Sequence, residues 1–220
     1  MHRSNLCCLL LLLLVMAGNA QSIKKRALQA DTGKLYLRFN PLGVFDYFDG
    51  NITPGAEYRF NDTWTATLDA GAVLYSGYFG RARSSLGFLI RPGIRVYPGK
   101  YKDYFVELQL HYKNVTYRIN DWLEKEVVSN VPSYEERKVF QYKKQVMGAR
   151  IMVGKRESFT KSKRWYWEIY AGLGIHFKTE GLHNEPNSHY DVYIRIINTF
   201  NGSYTMLAVP AGIRLAYLIR

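Results

Sequence analysis

Residues Tyr104–Lys113 read YFVELQLHYK, and this stretch decides the fold. Apolar and polar residues alternate through it with a period of two. That period predicts a β-strand, because successive side chains of a strand point to opposite faces. One face of the predicted strand is apolar, and the other carries the four polar side chains of Glu107, Gln109, His111 and Lys113.

The same alternation recurs in eight segments, with no convincing helical period between them. The segments cover residues 34–45, 52–60, 64–75, 85–97, 103–119, 138–155, 164–178 and 203–219. Short turns follow the even-numbered segments and longer connections follow the odd-numbered ones, the longest being 120–137 and 179–202. This rhythm predicts an eight-stranded antiparallel up-and-down transmembrane β-barrel, an all-β fold whose two ends meet different environments.

The placement of charge indicates which face of the segments meets lipid. Mid-segment charges all fall on the polar face, at Asp69, Arg91, Glu107, Arg150, Glu168 and Arg214. One Lys or Arg facing lipid costs about 2–4 kcal/mol, so several would exceed the roughly 5–15 kcal/mol stability of a typical domain. We therefore expect the apolar face outside, in lipid, and the polar face inside. A soluble barrel with the opposite arrangement is the alternative fold.

Two sets of residues follow from this arrangement. A polar network is expected to fill the interior, which eight strands leave just wide enough for side chains. Its predicted members are Arg38, Glu57, Arg59, Asp69, Arg91, Arg95, Glu107, Gln109, His111, Lys113, Lys144, Arg150, Glu168, His176, Lys178 and Arg214. Aromatic residues at the short-turn ends predict a girdle at one membrane surface. They are Phe60, Trp64, Tyr97, Tyr101, Tyr104, Trp165, Trp167 and Tyr217. A second aromatic group, which includes Tyr78, Phe79 and Tyr117, is expected at the long-connection ends.

The first 20 residues, MHRSNLCCLLLLLLVMAGNA, have the basic start, apolar run and small residues of a secretory signal peptide. A polar lead at 21–33 and the barrel at 34–220 follow. Cleavage removes both cysteines, and it removes one arginine and no acid, so the formal charge falls from +12 to +11. In an exported basic chain this favours outer-membrane lipids and lipopolysaccharide phosphates as partners over nucleic acid. Candidate headgroup contacts are the short-turn residues Lys155, Arg156, Lys161, Lys163 and Arg164.

Motifs for catalysis, cofactors or metal ions do not stand out. The sequence has no phosphate loop, dinucleotide fingerprint or zinc-type histidine spacing. His111 and His176 have no serine two residues away, which disfavours a lipid-esterase site. Ser188 and His189 lie in a strongly polar connection and are interpreted as solvated surface. We expect a non-enzymatic protein without cofactor or metal, and a small channel or a lipid-modifying enzyme are the alternatives.

Three phrases, ITPGAEYRFND (52–62), LIRPGIRVYPG (89–99) and YWEIYAGLGIHF (166–177), resemble the small outer-membrane β-barrel proteins of Bacteroidetes. With the signal peptide and the eight strands, the resemblance covers nearly all of the mature chain. That family is largely uncharacterised, so the resemblance implies the outer membrane of a Gram-negative bacterium and a fold, but no activity. We expect a monomer with a structural role, or one that binds an unidentified surface or envelope protein through its long loops.

Overall fold

The computed structural model of the protein describes residues 33–79, 81–98, 102–129, 131–190 and 202–219. Outside these ranges lie the predicted signal peptide, all of the polar lead except Gly33, the girdle residue Tyr101, and the segment 191–201. The described strands are β1 (Leu35–Phe39), β2 (Gly50–Ile52), β3 (Pro54–Arg59), β4 (Trp64–Tyr75), β5 (Ala82–Val96), β6 (Tyr104–Lys125), β7 (Tyr134–Ser158), β8 (Trp165–His183), β9 (Ser188–His189), β10 (Gly202–Ala208) and β11 (Ala211–Leu218). One 3₁₀ helix spans Pro41–Phe45. No helix in the described ranges is long and apolar enough to cross a membrane.

The strands pair antiparallel in chain order and form a ring. β11 pairs with β1, which places Tyr217 opposite Leu37 and joins the last strand to the first. Two ring positions are each filled by two short strands, because β2 and β3 both pair with β4, and β10 and β11 both pair with β8. β9 pairs with the far end of β6. The predicted all-β antiparallel architecture with eight strand positions is confirmed.

Proline interrupts three segments that were expected to be continuous strands. Pro41 follows β1, so the second half of the predicted segment 34–45 is a 3₁₀ turn. Pro54 stands at the break between β2 and β3, and Pro210 at the break between β10 and β11. Proline has no N–H to donate to a neighbouring strand. At the last break, a hydrogen bond to β8 is kept, because the Gly172 N–H donates to the Pro210 carbonyl at 2.8 Å.

The β6–β7 hairpin is much longer than predicted. Residues 120–137 were expected to form a connection, but β6 continues to Lys125 and β7 begins at Tyr134, with every residue of β6 paired to one of β7. β8 also continues, to His183, past its expected end at residue 178. The expectation was wrong because apolar and polar residues still alternate in these extensions, but the apolar residues now face inward and the polar residues outward.

β6 shows this reversal within one strand. Its lower inward residues after Phe105 are polar: Glu107, Gln109, His111 and Lys113. Its upper inward residues are mostly apolar or aromatic and buried: Val115, Tyr117, Ile119 and Leu123. Its outward residues change the other way, from Val106, Leu108 and Leu110 to Asn114, Thr116, Arg118 and Asn120. The lower half of the strand therefore has a polar inside and an apolar outside, and the upper half has the reverse.

The reversal occurs along one row of register partners on β6, β7, β8 and β10. A row of outward polar residues runs across β6, β7, β8 and β10 as register partners: Asn114, Gln145, Thr179 and Ser203. The Thr179 and Ser203 hydroxyls lie 3.0 Å apart. Directly below this row on β6, β7 and β8 stand Tyr112, Met147 and Phe177, which are themselves register partners. We call the first set the polar row, and it forms the upper border of an apolar outer band.

The upper interior is closed by an aromatic plug, defined here as Tyr78, Phe79, Tyr117, Phe140, Tyr142 and Tyr190. Tyr78 and Phe79 come from the connection after β4, which folds into the ring, and the Phe79 ring centroid lies 4.8 Å from that of Tyr117. These three residues were expected at the long-connection ends. Tyr78 and Phe79 do lie in such a connection, but Tyr117 lies within β6, and all three side chains are buried inside the ring. Above the polar row the outer surface is polar, so the apolar side chains are buried inside the ring.

Gly172 marks a close approach between β7 and β8. A Cβ at this position would lie 2.1 Å from the Ile151 carbonyl oxygen, whereas a Cβ at Gly181 on the same strand would meet nothing within 4 Å.

Gly172→Ala is expected to destabilise the fold by about 1–3 kcal/mol, because the methyl group overpacks the strand interface. Gly181→Ala is the matched control and is expected to stay within about 0.5 kcal/mol of the wild type. Denaturant unfolding followed by tryptophan fluorescence measures both. Equal unfolding midpoints for the two variants would contradict the close approach.

Candidate functional site

The lower interior contains an ion network to which every ring position contributes one charged side chain. Its acids are Glu57, Asp69, Glu107 and Glu168, and its arginines are Arg38, Arg95, Arg156 and Arg214. The eight residues come, in chain order, from β1, β3, β4, β5, β6, β7, β8 and β11. Each is 5% exposed or less. Four positive and four negative groups balance, and we call this set the eight-residue network.

Arg95 lies at its centre and reaches three acids. Its Nη1 donates to Glu57 Oε2 at 2.9 Å and to Glu168 Oε1 at 2.7 Å. Its Nη2 donates to Glu168 Oε2 at 3.0 Å and to Glu107 Oε2 at 2.8 Å, and its Nε to the same Glu107 oxygen at 3.2 Å. All five guanidinium N–H groups therefore have a carboxylate acceptor. The Phe105 ring covers one face of the guanidinium, with its centroid 3.9 Å from the Cζ atom.

Glu107 links Arg95 to Arg214 and Arg38. Its Oε2 accepts from Arg214 Nη1 at 2.8 Å, and its Oε1 accepts from the Thr67 hydroxyl at 3.0 Å. Arg38 Nη2 lies 3.4 Å from Glu107 and donates to both oxygens of Asp69 at 2.7 Å. Charge-assisted hydrogen bonds of this kind are the strong ones in a low-dielectric interior.

Arg156 corrects the sequence interpretation. It was expected to contact lipid headgroups from a turn, but it is buried and its Nε donates to Glu168 Oε1 at 2.7 Å. It also forms an ion pair with Glu57. A usable signal existed, because Lys144, Arg150 and Arg156 all have the same parity on β7 and therefore share the inward face.

Tyr97 is a second correction. It was predicted in the outward aromatic girdle, but its side chain is fully buried. Its hydroxyl donates to Glu57 Oε1 at 3.0 Å, and the Arg59 guanidinium carbon lies 4.1 Å from its ring centroid. A phenol has an apolar ring and a polar end, so it can join an ion network without leaving a polar atom unpaired.

The other described girdle residues face outward. Phe60, Trp64, Tyr104 and Trp165 are 43–55% exposed, and Trp167 and Tyr217 share their face but are partly covered. Trp165 and Tyr217 are register partners with ring centroids 4.8 Å apart.

The remaining predicted interior residues, except Arg59, which lies against Tyr97, form a second layer above the eight-residue network. Arg91 Nε donates to His111 Nδ1 at 3.0 Å, and Arg150 Nε donates to Gln109 Oε1 at 2.9 Å. The rings of His111 and His176 are stacked, with centroids 4.7 Å apart. Both arginines of this layer therefore donate to neutral groups rather than to carboxylates.

Asp49 closes this layer from above. Its carboxylate pairs with Lys113 and with Lys144, whose Nζ lies 2.7 Å away, while the Lys178 Nζ lies 5.6 Å from the Tyr204 ring centroid. Asp49 was missed because it sits in the connection after β1, where alternation gives no indication of direction.

Residues that could support catalysis do not converge in the described ranges. His189 Nδ1 lies 2.8 Å from Glu124 Oε2, while the Ser188 hydroxyl donates to the Pro186 carbonyl at 3.3 Å. The serine is thus directed to backbone rather than to the imidazole, which a nucleophile–base pair would require. The described residues contain no group of three His, Cys, Asp or Glu side chains arranged for a metal ion.

An ion cluster joins the long hairpin to the connection after β8. Glu185 binds Lys138 Nζ at 2.8 Å and also pairs with Lys125. Hydrogen bonds from Lys125 and Lys138 lower the pKa of Glu185 below its usual range. The connection is therefore attached to the upper hairpin at neutral pH.

Comparisons of the chain with protein-family models, with curated proteins and with solved structures gave no match.

Glu107→Gln should strongly destabilise the fold, because it leaves three buried arginines short of one negative charge. Removing one member of a buried ion pair typically costs about 3–5 kcal/mol. Glu157→Gln is the matched control, since Glu157 pairs with Lys155 near the surface and such pairs contribute about 1 kcal/mol or less.

A double variant tests the charge balance directly. In the Glu107→Gln background, Arg214→Met restores equal numbers of positive and negative groups, so the double variant should unfold at higher denaturant than Glu107→Gln alone. Strictly additive losses in the double-mutant cycle would contradict a network held by charge neutrality.

Proposed function

We propose that the protein is a non-enzymatic integral outer-membrane β-barrel, with its eight strands running up and down and its lower half in the lipid bilayer. The observation that carries this proposal is the reversal of polarity at the polar row Asn114, Gln145, Thr179 and Ser203. Lipid below this row and water above it account for the inward and outward faces of these four strands. Apolar residues face outward where lipid is the solvent and inward where water is.

The size of the apolar band supports the same proposal. The outward apolar faces extend over Tyr104–Tyr112 on β6, Trp64–Leu74 on β4 and Leu86–Val96 on β5. These are runs of nine to eleven residues, and a tilted strand needs about 9–11 to cross a bilayer. Leu108 and Ile151 on this band are 51% and 57% exposed. A continuous apolar surface of this kind is rare on soluble monomers.

The filled interior supports a structural role over a channel. The gap beside the eight-residue network is too narrow for a water molecule; it is lined by Arg38, Phe39, Asn40, Thr53, Asp69, Arg91 and Arg214. Above it, the aromatic plug fills the upper ring. The proposed barrel is therefore a closed, membrane-anchored support.

The long β6–β7 hairpin is the proposed surface-interaction element. At and near its tip, Trp122, Val128, Val131 and Tyr134 are 51–71% exposed. Rigid strands that present aromatic and aliphatic side chains to water are suited to a protein partner at the cell surface. Outer-membrane lipids and lipopolysaccharide are the proposed partners of the lower half. Membership in the outer-membrane barrel family of Bacteroidetes is part of the proposal and rests on the sequence phrases alone.

Cell fractionation with gel electrophoresis tests the location. We expect the protein in the outer-membrane fraction, and we expect the unheated sample to migrate differently from the heated one because the barrel resists detergent. Recovery of the protein in the soluble periplasmic fraction would overturn the proposal.

Leu108→Arg and Thr116→Arg test the position of the membrane on a single strand. Both residues face outward on β6, but Leu108 lies below the polar row and Thr116 above it. Leu108→Arg is expected to cost about 2–4 kcal/mol and to reduce the membrane-inserted fraction, because arginine meets lipid.

Thr116→Arg is expected to insert like the wild type, because its side chain meets water. Folding into lipid vesicles, followed by the heat-dependent gel shift, measures both variants. Equal insertion of the two variants would contradict the proposed lipid boundary.

A further inference from the structure

The upper part of the β6–β7 hairpin has one covered edge and one open edge. On the β6 side, the short strand β9 pairs with the end of the hairpin. On the β7 side, pairing with β8 ends where Gln141 meets His183. The chain turns away from the sheet after this pair, since Asn184 has a left-handed φ of 61°. We call residues 134–140 of β7, which lie above this last pair, the open edge.

The hydrogen-bonding direction of β7 determines which backbone groups the open edge presents. The Arg156 N–H donates to the Asp103 carbonyl, on the β6 side, at 2.7 Å. The register between β6 and β7 has no shift, so even-numbered residues of β7 bond to β6 and odd-numbered residues face the β8 side. The N–H and C=O groups of Glu135, Arg137 and Val139 therefore point out of the open edge.

These backbone groups have no hydrogen-bond partner among the residues that the structure describes. The side chains of Glu135 and Arg137 are exposed, and that of Val139 is 38% exposed. A row of unpaired N–H and C=O groups on a strand edge is a template for pairing with another chain. The open edge is therefore accessible to a further strand.

The outer face of the open edge carries two charges of opposite sign. Glu135 is the register partner of Glu124, so two acids stand side by side, and Arg137 is the register partner of Trp122. Glu124 lies 2.8 Å from His189, whereas Glu135 and Arg137 form no ion pair in the described part of the chain. A neighbouring strand with a cation opposite Glu135 and an acid opposite Arg137 would form two complementary cross-strand pairs.

We propose that the open edge binds an extended segment of a partner surface protein, which adds to β7 as an antiparallel strand. The segment has an apolar residue opposite Val139, an acid opposite Arg137 and a cation opposite Glu135. Main-chain hydrogen bonds provide the affinity of such a complex, and the alternate side chains provide its specificity. The inference rests on the proposed role of the hairpin as the surface-interaction element, and it names how the partner binds there.

A second copy of the chain fits the open edge less well. Two copies in one membrane have β7 running in the same direction, so their open edges meet only in parallel. Parallel pairs are slightly less stable than antiparallel ones, and in-register parallel pairing brings like charges side by side.

Two fluorescein-labelled heptapeptides, TVEEKKV and TVKKEEV, are the probes for the folded full chain, and fluorescence anisotropy measures their binding. Paired antiparallel with residues 134–140, TVEEKKV places glutamate opposite Arg137 and lysine opposite Glu135. TVKKEEV has the same composition and places like charges there. We expect TVEEKKV to bind about tenfold more tightly or better, because only its cross-strand charges are complementary.

A backbone-methylated form of TVEEKKV separates strand addition from charge attraction. Methyl groups on its second, fourth and sixth backbone nitrogens remove the donors that face β7 and leave the charges unchanged. We expect this peptide to lose at least about tenfold in affinity, because its main-chain hydrogen bonds cannot form.

Val139→Pro tests the edge from the protein side. Proline removes the N–H that points out of the open edge and leaves the β6–β7 hydrogen bonds in place, since proline is tolerated on such edges. We expect it to weaken TVEEKKV binding about tenfold or more, whereas the matched control Val139→Ala keeps the donor and should bind within about threefold of the wild type. If Val139→Pro does not fold, Arg137→Glu keeps the backbone intact and should weaken TVEEKKV binding by a similar factor.

The inference is overturned if the wild type binds TVEEKKV and TVKKEEV equally, or binds the methylated peptide as tightly as TVEEKKV. It is also overturned if light scattering shows a dimer that Val139→Pro abolishes, which would assign the edge to a second copy. Absence of peptide binding by a protein with the heat-dependent gel shift overturns this inference and leaves the membrane proposal standing. Recovery in the periplasmic fraction contradicts the membrane proposal alone, because peptide binding requires only the folded chain.

Discussion

The interaction on which the rest of the structure depends is the contact of the Arg95 guanidinium with Glu57, Glu107 and Glu168. These acids stand on three different strands, and the arginine stands on a fourth. Since each ring position contributes one charge to the network, closing the ring and neutralising the charges are one event. A partly assembled ring would contain unpaired buried charges, and their free-energy cost favours the complete ring over open alternatives.

The two halves of the ring obey the same strand geometry in different surroundings. Side chains on β6 keep their inward or outward direction from Tyr104 to Lys125, because the period of two never slips. At the polar row, the inward side chains change from polar to mostly apolar, and the outward side chains change from apolar to polar. The lower half has ions inside and the upper half has aromatic rings inside. The proposed membrane location accounts for this difference, because each strand then passes from lipid into water.

The interior is thereby divided into three layers with different chemistry. The eight-residue network is balanced in charge and joined by many charge-assisted hydrogen bonds, so it suits a supporting role. The aromatic plug is apolar. Between them lies a layer in which Arg91 and Arg150 donate to neutral groups of His111 and Gln109.

The sequence by itself determined the all-β class, the eight strand positions and the inward direction of residues such as Glu107, Gln109 and Arg214. Alternation is a local property, and a period of two assigns every residue of a strand to a face. It could not show that Arg156 and Tyr97 belong inside, although parity on β7 gave a usable signal for Arg156. Both residues lie near strand ends, where alternation is weaker. Their aromatic or basic character there predicted a position at the lipid interface instead.

Only the tertiary structure decided how the inward residues meet. Which acid reaches Arg95, why Asp49 bridges Lys113 and Lys144, and why 120–137 is strand rather than loop depend on register and on a connection that folds back into the ring. These are contacts between residues far apart in the chain. The physical reason is that alternation specifies direction, whereas ion pairs depend on distances that exist only once the ring has closed.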